Sequence, residues 1–188
     1  MAVRFAPRNT GGFMTLHLHT ISSHAIAPAQ TAAVIALCSA VFEMDYSFYM
    51  TLGLDWTHVL GHDDGRLVAH ALWLDRPLRV GDGPWLAAAY VEGVATDAVY
   101  RRRGYGSAVM RRLQAEVAGY DLAALSPSEP AWYARLGWER WRGPLFIEQA
   151  GVRQATPDEC VLIYRTSRTP ALDLSASLTA PWRPFELW

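Results

Sequence analysis

Three short stretches of this sequence carry side chains that could do chemistry. The first is Arg101-Arg102-Arg103-Gly104-Tyr105-Gly106-Ser107, which leads directly into a run with helical spacing. The first N–H groups of a helix have no intrahelical partner and carry the positive end of its dipole. Glycines at 104 and 106 let backbone come close to a ligand, and three guanidiniums stand beside them, so such a start suits phosphate oxygens. It is not a dinucleotide fingerprint, because Val109 stands where the third glycine would be, and not a P-loop, because no lysine follows. Taken alone, the stretch is a weak signal and reads first as an ordinary helix start with solvated arginines. The second is Glu92, the one carboxylate in residues 85–96. It could take a proton from a substrate or serve as the internal partner of an arginine. The third is Tyr133, whose hydroxyl could donate a proton or whose ring could simply pack on a helix face.

Positioning these groups takes a strand, a loop and a helix in that order, and the flanking pattern supplies them. Residues 15–21 alternate and predict a strand. Pro28 opens a helix whose apolar stripe is Val34, Leu37, Cys38, Val41 and Phe42. Residues 45–54 are aromatic and stand between loop and short helix. Strands are predicted over 56–61 and 66–79 around the turn at 62–65, and a second turn at 81–84 precedes a long strand over 85–96. A helix over 104–119 follows, with Val109, Leu113 and Val117 on one face. Then come a short buried strand, Leu122–Leu125, and a helix over 130–136 closed by Gly137. Final strands are expected over 138–141 and 160–164. Antiparallel hairpins before a βαβ crossover make the class mixed α+β. The expected organisation is a loose leader over 1–14 and one domain over 15–188.

The composition narrows the chemistry. All 17 basic residues are arginine, which excludes a Schiff-base or P-loop lysine. Net charge is −1, so no global basic field recruits nucleic acid, and the longest apolar run, 32–42, is too short to span a bilayer. We expect neither a nucleic-acid nor a membrane partner, and a cytoplasmic protein. Cys38 and Cys160 lie far apart with no Cys/His cluster, so no metal is expected. The six histidines show no ligand spacing and receive no chemistry. Charge is uneven: residues 1–100 hold 5 Arg and 9 acids, residues 101–188 hold 12 Arg and 9 acids.

Several stretches together resemble one family. Arg101-x-x-Gly104-x-Gly106 after a strand resembles the pyrophosphate loop of the GNAT N-acetyltransferase superfamily. YVEGVAT (90–96), AALSPS (123–128), WYARLGWERWRGP (132–144) and PWRPFELW (181–188) resemble the aminoglycoside 2′-N-acetyltransferases within it. The resemblance implies a GNAT fold: a mixed central sheet with antiparallel N-terminal strands, strands four and five splayed apart, and flanking helices. It implies acetyl-CoA as donor and CoA as product, held by Val94, Ala95 and Thr96 against the pantetheine arm and by Arg101, Arg102, Arg103, Gly104, Tyr105, Gly106 and Ser107 against the diphosphate. It places the substrate carboxylate on Glu92 with Gly93 beside it, an oxyanion-holding N–H on Val94, and the general acid on Tyr133. It also implies a homodimer.

An aminoglycoside is a polycation, so the acceptor side should present carboxylates. Asp45, Asp158, Glu159, Glu186 and the α-carboxylate of Trp188 are the candidates, with Ser126 as a lining residue, while Asp55 caps or braces. The nine residues between Asp45 and Asp55 add aromatic bulk that could narrow the pocket toward a smaller substrate such as kasugamycin. Two rivals remain: a GNAT enzyme for another small amine or a protein N-terminus, and a non-catalytic acyl-CoA-binding module.

Overall fold

A computed structural model describes residues 16–185 and Trp188. The expected leader at 1–14 and the expected substrate residue Glu186 lie outside the described residues. The strands that these residues form belong to two sheets. The larger has the order β1-β2-β3-β6-β7-β11-β8, where β1 is Leu16–Ser22, β2 Thr57–Asp63, β3 Arg66–Asp75, β6 Ala88–Thr96, β7 Leu122–Leu125, β8 Glu139–Arg140 and β11 Leu162–Arg165. Every pairing is antiparallel except β6 with β7, which are parallel and joined through helix α3, Tyr105–Glu116. That connection is the βαβ crossover expected from the sequence.

The second sheet was not foreseen. It has the order β10-β9-β12-β4-β5, with β4 at Leu78–Val80, β5 at Trp85–Leu86, β9 at Leu145–Gln149, β10 at Val152–Ala155 and β12 at Leu178–Pro181. Two of its strands come from segments that the periodicity had merged. The expected strand over 66–79 breaks at Arg76–Pro77, because proline cannot donate to a ladder. The expected strand over 85–96 breaks at Ala87. After each break the chain changes sheets, with β3 and β6 in the larger and β4 and β5 in the smaller.

Three apolar clusters hold these layers. Tyr105, Val109, Met110 and Leu113 of α3 pack on Val59, Ala69, Ala71, Ala89 and Val91, covering one face of the large sheet. On the opposite face α1, Pro28–Phe42, buries Val34, Leu37 and Cys38 against Leu60, Leu67 and Ala95. The short helix α2, Ser47–Met50, continues that layer through Tyr49. The small sheet covers the rest of the face, with Leu78, Leu86, Ile147, Leu178 and Ala180 against Ala88, Tyr90, Leu122 and Ala124.

The stretch 138–144 locks the small sheet to the large one. Trp141 Nε1 donates to the Ala176 carbonyl at 2.9 Å, and the Gly143 N–H donates to the Leu174 carbonyl. A Cβ at Gly143 would fall inside van der Waals contact of the Ser175 and Ala176 carbonyl oxygens, which are backbone and cannot swing away. Gly143→Ala is therefore expected to cost about 3 kcal/mol of stability through overpacking, read as a lower urea midpoint.

Candidate active site

The site arises where two parallel strands part. β6 and β7 pair only through Ala88↔Leu122, Ala89↔Ala123 and Tyr90↔Ala124. Beyond Tyr90, β6 stays with β3, but the register jumps from Leu72↔Glu92 to His70↔Ala95. Ala71 alone thus faces Gly93 and Val94, a bulge that turns the strand. Gly93 has φ +59, a conformation that glycine adopts without a Cβ penalty. On the other side β7 ends before Ser126-Pro127, and proline again cannot extend the ladder. The resulting gap is the splay expected from the sequence.

Two cavities meet across it. The first, about 360 Å³, is lined on its aromatic side by Tyr46, Tyr49, Tyr90 and Trp188, with Glu92 and Gly93 on β6 and Ser126 on the β7 side. The second, about 720 Å³, is lined by Thr96, Arg101, Arg102, Gly104, Gly106 and Ser107. Phe42, Val94, Ser128 and Tyr133 line both.

The second cavity fits a phosphate-bearing ligand. Gly104, at φ +84, takes the left-handed conformation just before α3, and the first turn of that helix, whose N–H groups have no intrahelical partner, lines the cavity with Tyr105, Gly106 and Ser107. Gly106 lies so close to its surroundings that a Cβ would stand 2.8 Å from Thr96 Oγ1 and 3.4 Å from Trp132. Arg101 and Arg102 are exposed at the rim. One residue assigned to the cofactor sits differently: the Arg103 guanidinium lies over the Tyr100 ring at 5.0 Å. The Ala95 side chain is buried under α1, which leaves its backbone, the part that the expected pantetheine pairing uses.

Glu92 is nearly buried and forms an ion pair with Arg183, whose guanidinium also lies over the rings of Tyr90 and Phe185. The Arg76 guanidinium also lies over the Tyr90 ring, 4.7 Å from its centroid, and 5.7 Å from that of Trp188. Burial first, and then Arg183, pull the Arg76 guanidinium down to about 10. Sequence reasoning missed both arginines. Arg183 sits inside PWRPFELW between the aromatic anchors Trp182 and Phe185, and the surplus of arginine after residue 100 is its one signal in the sequence. Tyr133, on helix α4 at Pro130–Ala134, is wedged edge-on between Trp132 and Trp138. Burial pushes its hydroxyl up to about 12, so it remains a proton donor at ordinary pH.

Of the expected acceptor residues, Glu92, Gly93, Ser126 and Trp188 come together at the first cavity. Trp188 is buried and donates from Nε1 to Thr156 Oγ1 at 2.8 Å, which docks the tail. The others do not converge. Asp45 is exposed and accepts from the Ser47 N–H at 2.9 Å at the start of α2; hydrogen bonding from the Ser47 side chain first, and then from its backbone N–H, holds the Asp45 carboxyl below the usual range. It is Met44 and Tyr46, its neighbours, that line the cavity. Asp158 and Glu159 are exposed on the loop before β11, and Glu159 lines a different cavity with Arg140 and Arg142. Asp55 braces, pairing with His24 at 2.7 Å.

The cleft between these splayed parallel strands has a glycine loop and helix start on one side and a carboxylate on the other, and the comparisons assign the chain to the acetyltransferases. Residues 24–141 match the acetyltransferase (GNAT) domain family. Escherichia coli YhbS, a GNAT family N-acetyltransferase solved with CoA, superposes with a TM-score of 0.65 at 16% identity, covering 96% of this chain and 94% of its own. Eis1 from Mycobacterium abscessus superposes with a TM-score of 0.56 at 19% identity over 68% of this chain, which spans only 34% of it. At those identities the likeness speaks to the fold alone. The sequence goes further: over 160 residues, 78% of this chain and 79% of the relative, it is 36% identical to an aminoglycoside 2′-N-acetyltransferase of Mycolicibacterium fortuitum. The chain belongs to the aminoglycoside 2′-N-acetyltransferase family.

The tight seat of Gly106 generates a direct test of the second cavity. In Gly106→Asp the new side chain meets Thr96 and adds an anion where phosphate should lie, so acetyl-CoA affinity should fall at least about tenfold in calorimetry with the fold retained. Unchanged affinity would remove this loop from the donor site.

Proposed function

We propose that this protein is an acetyl-CoA-dependent N-acetyltransferase for an amino group of an aminoglycoside, with a small one such as kasugamycin favoured over large deoxystreptamine compounds. One observation carries the reading: the two cavities join at Val94, Ser128 and Tyr133, with Glu92 on one side of the junction and the glycine loop before α3 on the other. Acetyl-CoA supplies the activated acyl group. Gly104, Gly106 and the start of α3 bind its diphosphate, and Arg101 and Arg102 add charge.

On the acceptor side Glu92 takes the proton that an ammonium must lose before it can attack. The Val94 N–H faces the negative charge that builds on the thioester oxygen. Tyr133, kept protonated by burial, donates to the departing thiolate. No step needs a covalent enzyme intermediate. Aromatic walls at Tyr46, Tyr49, Tyr90 and Trp188 suit the apolar faces of a sugar ring, and a volume of about 360 Å³ suits a short one.

A second reading, a GNAT enzyme for a less highly charged small amine, is favoured by a specific observation. Among the described residues lining the acceptor cavity Glu92 is the lone acidic side chain, and it is paired with Arg183. Thiol release from acetyl-CoA across a panel of kasugamycin, gentamicin, a polyamine and an arylalkylamine separates the two. Turnover confined to the last two would replace the aminoglycoside reading.

Two further outcomes are expected. Glu92→Gln should lower kcat by ~10²–10⁴ at neutral pH, with part of the loss returning at high pH, where free amine accumulates. A loss confined to acceptor affinity would make Glu92 a binding anion. Because the Tyr133 hydroxyl titrates only at about 12, the wild-type rate should show no descending limb below about pH 10, and Tyr133→Phe should lose rate while keeping acetyl-CoA affinity.

A further inference from the structure

Beneath the bulge lies a chain of groups that the proposed chemistry does not use. His70, on β3, is fully buried and its Nδ1 is 2.7 Å from the Gly93 carbonyl oxygen. His58, on β2 and also buried, brings its Nδ1 to 3.0 Å from His70 Nε2. Cys38, from α1, closes the enclosure with its Sγ 3.6 Å from His70 Nδ1 and 3.9 Å from the Gly93 oxygen.

The direction of this chain is fixed by chemistry. A carbonyl oxygen can only accept, so His70 carries its proton on Nδ1. Burial pulls His70 down to about 3 and His58 to about 4, so both rings are neutral, while burial pushes the Cys38 thiol up to about 12. A neutral His70 with Nδ1–H has a lone pair on Nε2, and in the dry interior that lone pair needs a donor. His58 Nδ1–H is that donor. The order is therefore His58 Nδ1–H to His70 Nε2, then His70 Nδ1–H to the Gly93 oxygen.

The peptide at the end of the chain is the one between Gly93 and Val94. In a trans peptide the C=O and the following N–H point in opposite directions. Turning the Gly93 oxygen down onto His70 turns the Val94 N–H the other way, toward the strand gap. A glycine at positive φ in a bulge has little of its own to hold that plane. A flipped peptide would put a carbonyl oxygen where an N–H donor is needed. Position 93 itself is confined to glycine, since a Cβ there would stand 2.6 Å from Tyr46 Oη and 3.2 Å from His70 Cε1.

We propose that His58 and His70 are positioning residues for acetyl transfer: the ordered chain from His58 through His70 to the Gly93 oxygen holds peptide 93–94 so that the Val94 N–H meets the charge developing on the thioester. Neither ring touches substrate. His70 acts through the Gly93 carbonyl, and His58 acts by selecting the tautomer of His70.

The inference rests on the acetyl-transfer reading above, and the experiment separates the two. The acceptor is whichever amine of the panel is turned over best. His70→Leu removes the donor and should lower kcat at least about tenfold, with the KM of acetyl-CoA and of the acceptor changed by no more than about twofold, since an oxyanion donor acts on the transition state. His70→Asn, whose amide nitrogen can take the place of Nδ1, should recover kcat to within about threefold of wild type. His58→Leu should lower kcat by about three- to tenfold at constant KM, and supplies the kinetic test if His70→Leu does not fold. Nitrogen NMR of ¹⁵N-histidine-labelled wild type adds a readout independent of turnover: Nδ1 of both rings should be protonated and Nε2 of His70 bare. Full kcat in His70→Leu, an Asn variant as impaired as the Leu variant, or an Nε2–H tautomer on His70 would each overturn the proposal. A wild type that acetylates no amine yet shows the expected tautomers would instead overturn the acetyl-transfer reading.

Discussion

The early end of pairing between β6 and β7 is the constraint on which the rest of the molecule depends. Two parallel strands inside a sheet normally satisfy one another along their length, and buried backbone left without partners is costly. Here the ladder stops after Tyr90↔Ala124. What replaces it is built into the sequence on both sides: a positive-φ glycine and a bulge turn β6 away, and Ser126-Pro127 takes β7 out of the ladder. The split is zipped at its base, where the Ala87 N–H donates to Asp121 Oδ2 and the Asp121 N–H to the Ala87 carbonyl. The opening is thus local and repeatable, which a site for two ligands requires.

The layers on either side of the sheet follow from that opening. α3 covers one face and aims its N-terminus at the donor cavity, while α1, α2 and the small sheet leave the acceptor cavity between them on the other. The docked Trp188 and the Arg183–Glu92 pair then make the tail a wall of that cavity. In the proposed reaction an acceptor ammonium would meet Glu92 beside a guanidinium, which argues for a less densely charged amine, as do the aromatic rings that wall the pocket.

Much of the donor side was legible in the sequence because it is local. A strand, a loop with Gly104 and Gly106 and a helix follow one another in 20 residues, 90–109, and their chemistry needs no distant partner. Leu122–Leu125 and the helix bearing Tyr133 were readable for the same reason. The acceptor side was not, because it is assembled from 42–49, 90–94, 125–133, Arg183 and Trp188. No periodicity signals that Arg183 will reach Glu92, or that His58 and His70, twelve residues apart, will meet under Gly93. The small sheet escaped detection because β4, β5 and β12 are short, and two of them continue runs that read as longer strands. Asp45, Asp158 and Glu159 were reasonable as charges, but local turns hold them at the surface.

The central claim is that acetyl donor and amine acceptor meet in the gap between β6 and β7. A crystal structure of the protein with both CoA and an accepted amine tests it most directly. The account predicts the CoA sulfur at the junction lined by Val94, Ser128 and Tyr133, with the amine nitrogen on the Glu92 side of it. A sulfur found outside that gap, in the cavity lined by Arg140 and Arg142 for example, would contradict it.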